Sequence, residues 1–139
     1  RTAIWQAEWA FIRDHALLGS GFGSFADTGA ISPLHDYVGE GWVQVISHGH
    51  NGYLQLTVTT GVIGFSLAMF AIVLAPAAAF WRMDGMDRIL KAFLFALFVF
   101  FVFHNLTESD FLESDGASWV VFLMMIAALR AAPRRRRVP

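Results

Sequence analysis

The chain has 139 residues, a formal net charge of −1 and no cysteine, which excludes disulfide frameworks and cysteine-ligated metal sites. Hydrophobic residues make up 56% of it, and its mean hydropathy of +0.53 is too high for an ordinary soluble domain. The first residue is Arg1 rather than a methionine and already lies in a patterned segment. We therefore expect the chain to be the C-terminal part of a longer protein.

The first predicted element is an amphipathic helix over residues 2–18. Trp5, Trp9 and Ile12 recur at helical spacing on one face, and Gly19 is a typical C-terminal stop. Tryptophan is favoured at membrane interfaces. We expect this helix to lie on the membrane or against other helices.

A glycine-rich turn and a long loop come next. The turn reads Gly19-Ser20-Gly21-Phe22-Gly23-Ser24-Phe25. It has no Walker lysine and no preceding strand, so it does not predict a nucleotide site. Residues 26–49 read as irregular, and a loop of that length is more often functional than filler.

Three apolar segments follow, and they predict membrane spans at about 53–80, 89–106 and 112–131. The second and third reach spanning length only when neighbouring residues extend them, with Phe111 and Leu112 beginning the third. Gly61 and Gly64 start a stripe of small residues in the first span, which favours close helix packing. A soluble three-helix core is the alternative, but residues 93–103 have no polar face.

Basic residues set the predicted orientation. Eight of the ten fall in residues 81–91 and 130–139, which the positive-inside rule places in the cytoplasm. Residues 1–52 and 107–116 are then outside. The predicted fold is an all-α membrane protein, part of a larger helical bundle. It has a long outer loop over 1–52, which is periplasmic if the membrane is a bacterial inner membrane and which contains the amphipathic helix. A C-terminal transmembrane region over 53–139 has three transmembrane helices.

His50 is the strongest candidate for chemistry. Asn51 is a good N-cap for a helix that begins near Gly52, so His50 lies beside the positive end of that helix. The helix field and a dehydrated site both disfavour the imidazolium, and a neutral histidine can take a proton from a hydroxyl group. The alternative is an ordinary structural histidine at a helix start.

A metal site is a second interpretation of the same segment. His48 and His50 lie two residues apart, with His35 or His104 as a third ligand, and imidazoles suit zinc or copper. Two histidines in a glycine loop are weak evidence, and no spaced carboxylates join them. We expect no metal and no other cofactor.

Two further sets of polar residues lie in the predicted outer segments. Arg1 suits bidentate phosphate binding, although it is also simply a basic residue at the start of the chain. The cluster from His104 to Asp110, which includes Glu108, lies at the outer end of the second predicted span. A solvated loop is the alternative interpretation of that cluster.

Four stretches together resemble the O-antigen ligase and Wzy-type polymerase superfamily. They are Arg1-Thr2-Ala3-Ile4-Trp5, the glycine turn from Leu18 to Phe25, the His-Asn motif and its helix from Ser47 to Phe65, and Asn105-Leu106-Thr107-Glu108-Ser109. The resemblance implies that an outer-loop histidine acts on the acceptor and that arginines bind the donor pyrophosphate. It therefore points to His50 as catalytic and to Arg1, Asn51 and Glu108 as substrate-binding.

The resemblance implies metal-independent glycosyl transfer outside the membrane. The donor is a polyprenyl-pyrophosphate-linked glycan, and the acceptor is another glycan, lipid A–core or a protein. The remaining expected partners are membrane lipids, and we expect no nucleic acid. Ligase and polymerase activity stay open. The alternative function is a transporter or channel subunit with a polar path through His50, Gln55 and Glu108.

Overall fold

The fold is all-helical across the part of the chain that the structure, a computed structural model, describes: residues 2–26, 31–38, 49–82, 85–113 and 116–132. No strand occurs in those ranges, so the all-α prediction is confirmed for them. The α-helices are α1 (Thr2–Asp14), α2 (Gly52–Met69), α3 (Ala75–Arg82), α4 (Arg88–His104) and α5 (Ala117–Ala131). A short 3-10 helix covers Pro33–Asp36 and a π turn covers Phe70–Leu74.

The chain divides into two compact units. The first unit comprises residues 1–67 and 105–111, and the second comprises 68–104 and 112–139. The polar segments singled out in the sequence, 49–55 and 105–111, both fall in the first unit.

Within the described ranges, one helical segment is long and apolar enough to cross a membrane. It runs through α2, the π turn and α3 from Gly52 to Arg82, a length of 31 residues. Helix α4 has 17 residues and α5 has 15, or roughly 26 and 22 Å at 1.5 Å per residue. Both are shorter than a hydrocarbon core of about 30 Å. The three-span topology and the outer loop therefore stay predictions.

The boundaries of α4 and α5 differ in how well they were predicted. Helix α4 begins at Arg88, within one residue of the predicted start. The predicted start of the third helix at Leu112 is wrong, because α5 begins only at Ala117. Leu112 has a φ of +64°, a left-handed conformation that no right-handed helix can contain.

Pro76 accounts for the π turn. A proline has no N–H, and its ring collides with the carbonyl four residues earlier, here that of Ile72. The preceding turn is widened, and the N–H of Ala75 donates to the carbonyl of Phe70, five residues back. The helical segment thus passes the proline without ending, as single π turns allow.

Helix α1 packs into the core of the first unit. Its Ala7, Phe11 and Ile12 are buried with Phe25 and Val58. The helix ends earlier than predicted, at Asp14 rather than residue 18, and one further turn follows. In that turn the N–H of Gly19 donates to the carbonyl of His15 over 3.1 Å. Gly19 has a φ of +66°, so it ends this further turn and not the helix itself, which stops at Asp14.

Helix α2 is broken at Gly61. This residue has φ +64° and ψ −177°, which removes it from the helical ladder. The sequence analysis expected Gly61 to allow close packing as part of a regular helix. That expectation is wrong, because Gly61 interrupts helix α2. The unpaired backbone groups that a break leaves need new partners, especially away from water.

The turn after α1 supplies those partners. The carbonyls of Val58 and Thr59 accept from the N–H groups of Ser20 and Gly21, both over 2.9 Å. In the opposite direction, the N–H groups of Val62 and Ile63 donate to the carbonyls of Ala16 and Leu17, over 2.8 and 3.4 Å. An unbroken helix would join Val62 to Val58 and Ile63 to Thr59. Four hydrogen bonds between the turn and α2 therefore replace two hydrogen bonds within the helix.

Close backbone approach explains why two glycines meet at this break. A Cβ on Gly61 would overlap the carbonyl of Leu17, and a Cβ on Gly19 would lie 2.7 Å from the nitrogen of Gly61. We call residues 16–21 together with 58–63 the backbone clasp. It ties α1 to α2 within the first unit.

Aromatic rings hold the second unit together. Phe101 of α4 stacks on Phe122 of α5 with 4.0 Å between ring centroids. Phe80 of α3 meets Phe95 of α4 edge to face at 5.3 Å. Offset and edge-to-face rings are the favoured arrangements.

Candidate active site at the start of helix α2

Asn51 caps helix α2. Its side-chain oxygen accepts from the N–H groups of Tyr53 and Leu54, each over 3.1 Å. These are N–H groups that a helix start leaves without intrahelical partners. The predicted cap is confirmed, and it fixes the residue that follows His50.

A second element of the site is the turn over residues 105–111. Asn105 is 0% exposed, and its side-chain oxygen accepts from the N–H groups of Asp110 and Phe111, each over 3.0 Å. The buried amide thus closes the turn on itself. Phe111 then packs edge to face on Tyr53 of α2, with 5.0 Å between the ring centroids.

Backbone hydrogen bonds dock this turn on the start of α2. The N–H of Gly52 donates to the carbonyls of both Asn105 and Glu108, each over 2.8 Å. The N–H of Asn51 donates to the hydroxyl oxygen of Ser109 over 3.1 Å. A Cβ at position 52 would overlap the side chain of Asn105, so only glycine allows the turn to approach this closely.

Docking brings His50 and Glu108 together across 58 residues of sequence. The imidazole Nδ1 lies 3.1 Å from the carboxylate Oε2, and the side chains are 32% and 40% exposed. His50 has a φ of +51°, a left-handed conformation that few residues other than glycine adopt. The pair is therefore accessible and held by a specific backbone conformation.

Chemically, this arrangement is a base with an orienting acid. A carboxylate on one ring nitrogen holds the proton there, so the lone pair on Nε2 becomes the proton acceptor. The carboxylate also stabilises the positive charge that develops as the ring takes a proton.

Helix α1 contacts the residue before His50. The indole N–H of Trp5 donates to the carbonyl of Gly49 over 2.8 Å. One turn later, the carboxyl group of Glu8 lies against the Gly49 Cα, where a Cβ would be 2.8 Å from Oε2. Glu8 is 0% exposed, and burial raises the pKa of its carboxyl to about 7.

Sequence reasoning missed Glu8. Its carboxyl oxygens have no hydrogen-bond partner within the described ranges. A signal was present, since Glu8 is four residues from both Ile4 and Ile12 on the buried face of α1. An acid on the apolar face of a helix needs an explanation.

The geometry does not test the predicted roles of the remaining site residues. Arg1 and His48 lie outside the described residues. Asn51 and Glu108 belong to the site, but their predicted contact with substrate stays a prediction. Among the residues that the structure describes, no three histidine or acidic side chains group closely enough to hold a metal ion.

In the part of the chain that the structure describes, these features define a helical protein with a candidate membrane-spanning helix and a histidine–carboxylate pair at its start. Residues 1–69, about half of the chain, match the family model described as O-antigen ligase. The resemblance drawn from the motifs is confirmed, and the matched half of the chain belongs to the O-antigen ligase family. Members of this family are integral membrane proteins and glycosyltransferase-like enzymes. No curated protein and no solved structure matches the chain.

Proposed function

We propose that this chain is the C-terminal portion of a membrane glycosyltransferase that transfers or polymerises a polyprenyl-pyrophosphate-linked glycan. The observation that carries the proposal is the 3.1 Å contact between His50 Nδ1 and Glu108 Oε2. It lies at the start of the helical segment from Gly52 to Arg82, which is long and apolar enough to span a membrane. The site would then work at a membrane surface, outside the cell membrane by the arginine bias.

In the proposed reaction the acceptor hydroxyl oxygen attacks the anomeric carbon of the donor sugar. The bond between that carbon and the pyrophosphate oxygen breaks, and the polyprenyl pyrophosphate leaves with the electron pair. The hydroxyl proton passes to Nε2 of His50, while Glu108 holds Nδ1 and stabilises the new imidazolium. Glu108 thus acts as a positioning residue for His50. The sequence analysis had instead predicted that Glu108 binds substrate.

Two further residues keep their proposed contacts with substrate. Arg1 would bind the donor pyrophosphate through its bidentate fork. The side-chain oxygen of Asn51 already caps α2, so a substrate contact falls to its amide nitrogen. Arg1→Lys should raise the KM for donor more than it lowers kcat, since lysine retains the charge without the fork.

The test is glycan transfer by the full-length protein in proteoliposomes that contain a lipid-linked glycan donor and an acceptor glycan. His50→Ala should lower transfer by about 10²–10⁴-fold, the usual contribution of a general base. Glu108→Gln should lower kcat by about 10²-fold, because the amide neither fixes the tautomer nor stabilises the imidazolium. The matched control is His15→Ala, which removes an exposed imidazole stacked on Phe11 in the same unit.

The same vesicles distinguish the proposal from its rivals. Full transfer by His50→Ala would end the proposed role of His50. Proton or ion flux in wild-type vesicles without any transfer would favour the transporter. Loss of transfer in EDTA that zinc restores, together with a large defect in His48→Ala, would favour the metal site.

A further inference from the structure

We infer that Glu8 is a positioning residue for His50, that it acts through Gly49, and that it does so as a neutral carboxylic acid. This inference rests on the proposed function, because it concerns the residue that takes the acceptor proton. Glu8 belongs to none of the four motif stretches that carry the family resemblance.

The backbone of His50 is held from both sides. After it, Asn51 and Gly52 are bonded to the turn over 105–111. Before it, Gly49 is held by α1 alone among the contacts described: the Trp5 indole bonds its carbonyl, and the Glu8 carboxyl fills the space over its Cα. These two side chains lie three residues apart, so they share one face of α1. That face of α1 therefore fixes the position of Gly49, and Gly49 in turn restricts the left-handed backbone of His50.

The surroundings of Glu8 favour its uncharged form. Its side chain is fully buried, and neither oxygen has a hydrogen-bond partner in the described residues. An ionised carboxylate in such a place has lost its water without gaining a partner. The pKa of about 7 that follows from burial supports the same conclusion.

Among the described residues, no neighbouring charge offsets that burial. Other titratable or charged groups on α1, on the 33–37 segment and at the start of α2 are Arg13, Asp14, His15, His35, Asp36, Tyr37, His50 and Tyr53. None of them forms a hydrogen bond or ion pair with Glu8, and its raised pKa has burial as its cause. Ionisation of Glu8 would therefore leave a buried charge beside Gly49 that no described group compensates.

The first experiment, in the full-length protein, removes the side chain of Glu8 and adds a methyl group at Gly49, separately and together. Gly49→Ala alone should lower kcat by about 10-fold or more, because a methyl group overlaps the buried carboxyl and a shift of about 1 Å at a reacting group costs up to about 10²-fold. Glu8→Ala alone should also lower kcat. The double variant Glu8→Ala/Gly49→Ala should recover at least half of the lost rate, because the new methyl group occupies the vacated space. The KM for donor should stay unchanged in all three.

The second experiment uses the isosteric variant Glu8→Gln, which removes the ionisable group without creating a cavity. At pH 6 it should transfer glycan within about threefold of wild type. At pH 8.5 wild type should have lost rate relative to its maximum as Glu8 ionises, while Glu8→Gln retains its rate. A wild-type kcat profile that coincides with that of Glu8→Gln from pH 6 to 8.5 would overturn the inference. So would a double variant whose defect is the product of the two single defects.

Failure of this inference is distinct from failure of the proposed function. If His50→Ala is inactive while the Glu8 and Gly49 variants behave as wild type, Glu8 has no positioning role and the proposed base stands. If wild type transfers no glycan from any lipid-linked donor, the proposed function fails, and this inference fails with it.

Discussion

Replacing Gly61 with alanine tests the backbone clasp between α1 and α2. The substitution adds one methyl group at φ +64°, in a place where it overlaps the carbonyl of Leu17 and lies 2.5 Å from the nitrogen of Leu18. Both obstructing atoms belong to the backbone, so no side chain can rotate out of the way. The chain must either move the turn or straighten the helix.

The cost of each response follows from the geometry. A left-handed alanine costs about 1–2 kcal/mol, and displacing the turn forfeits at least two of the four bonds at about 1 kcal/mol each. If α2 straightens instead, alanine gains about 1 kcal/mol over glycine in the helix. It also regains two helical bonds, but all four bonds to the turn are lost. Keeping the break lowers the free energy of unfolding by about 3–4 kcal/mol, whereas straightening lowers it by only about 1 kcal/mol and releases residues 16–21 from α2. Straightening is therefore the expected response.

The assay is thermal unfolding of the full-length protein in nanodiscs, followed by tryptophan fluorescence, since α1 carries Trp5 and Trp9. Gly61→Ala and Gly19→Ala should both lower Tm below that of Gly23→Ala, because both glycines belong to the clasp. Gly23→Ala is the matched control: its φ is +71°, yet a Cβ there meets nothing within 4 Å. If Gly61→Ala has the same Tm as Gly23→Ala, the close contact between the turn and the break in α2 does not exist.

Three further predictions address the site, the pH response and the topology. Asn105→Ala should lower the free energy of unfolding by about 2–3 kcal/mol and reduce transfer, because the buried N–H of Phe111 and the part-buried N–H of Asp110 lose their acceptor and Glu108 loses its support. Melting and transfer assays on the same preparation measure both. Glu8 binds its proton more tightly folded than unfolded, with a pKa of about 7 against 4.5. The stability that this proton contributes should therefore be fully present below pH 4.5 and fall by about 3 kcal/mol as pH rises through 7. Glu8→Gln should abolish this loss, which denaturant titrations of both proteins at pH 5 and 8 detect. Cysteines placed at Ser24 and Gly85 should react with a membrane-impermeant reagent from opposite sides, and labelling of both from one side would disprove the arginine-based orientation.

Local sequence rules predicted the parts of this fold that depend on local chemistry. Asn51 caps α2 because a side-chain amide at that position meets the first N–H groups of any helix that follows. Gly19 ends the turn after α1 because its left-handed conformation is open to glycine. Hydropathy placed the start of α4 within one residue, since Arg88 follows a polar loop and precedes a continuous apolar run.

Contacts between distant segments were not predictable in the same way. Gly61 looked like one member of a small-residue stripe, and only the turn at residues 16–21 shows why the helix breaks there. Leu112 looked apolar enough to begin the third helix, but Asn105 closes a turn that precedes it. The pairing of His50 with Glu108 depends on that same turn, whose docking involves backbone groups that carry no sequence signal of their own.

The motif stretches are better understood as parts of one fold than as separate binding signatures. In the glycine turn, Gly19 is needed for close approach to α2, and Ser20 and Gly21 contribute only backbone N–H groups to the break at Gly61. In the late motif, Asn105 shapes the turn, Glu108 meets the imidazole and Ser109 bonds the backbone of the cap residue. A substitution in one stretch therefore acts on another that is tens of residues away. The loss of activity that it causes identifies a substrate contact only when the free energy of unfolding is unchanged.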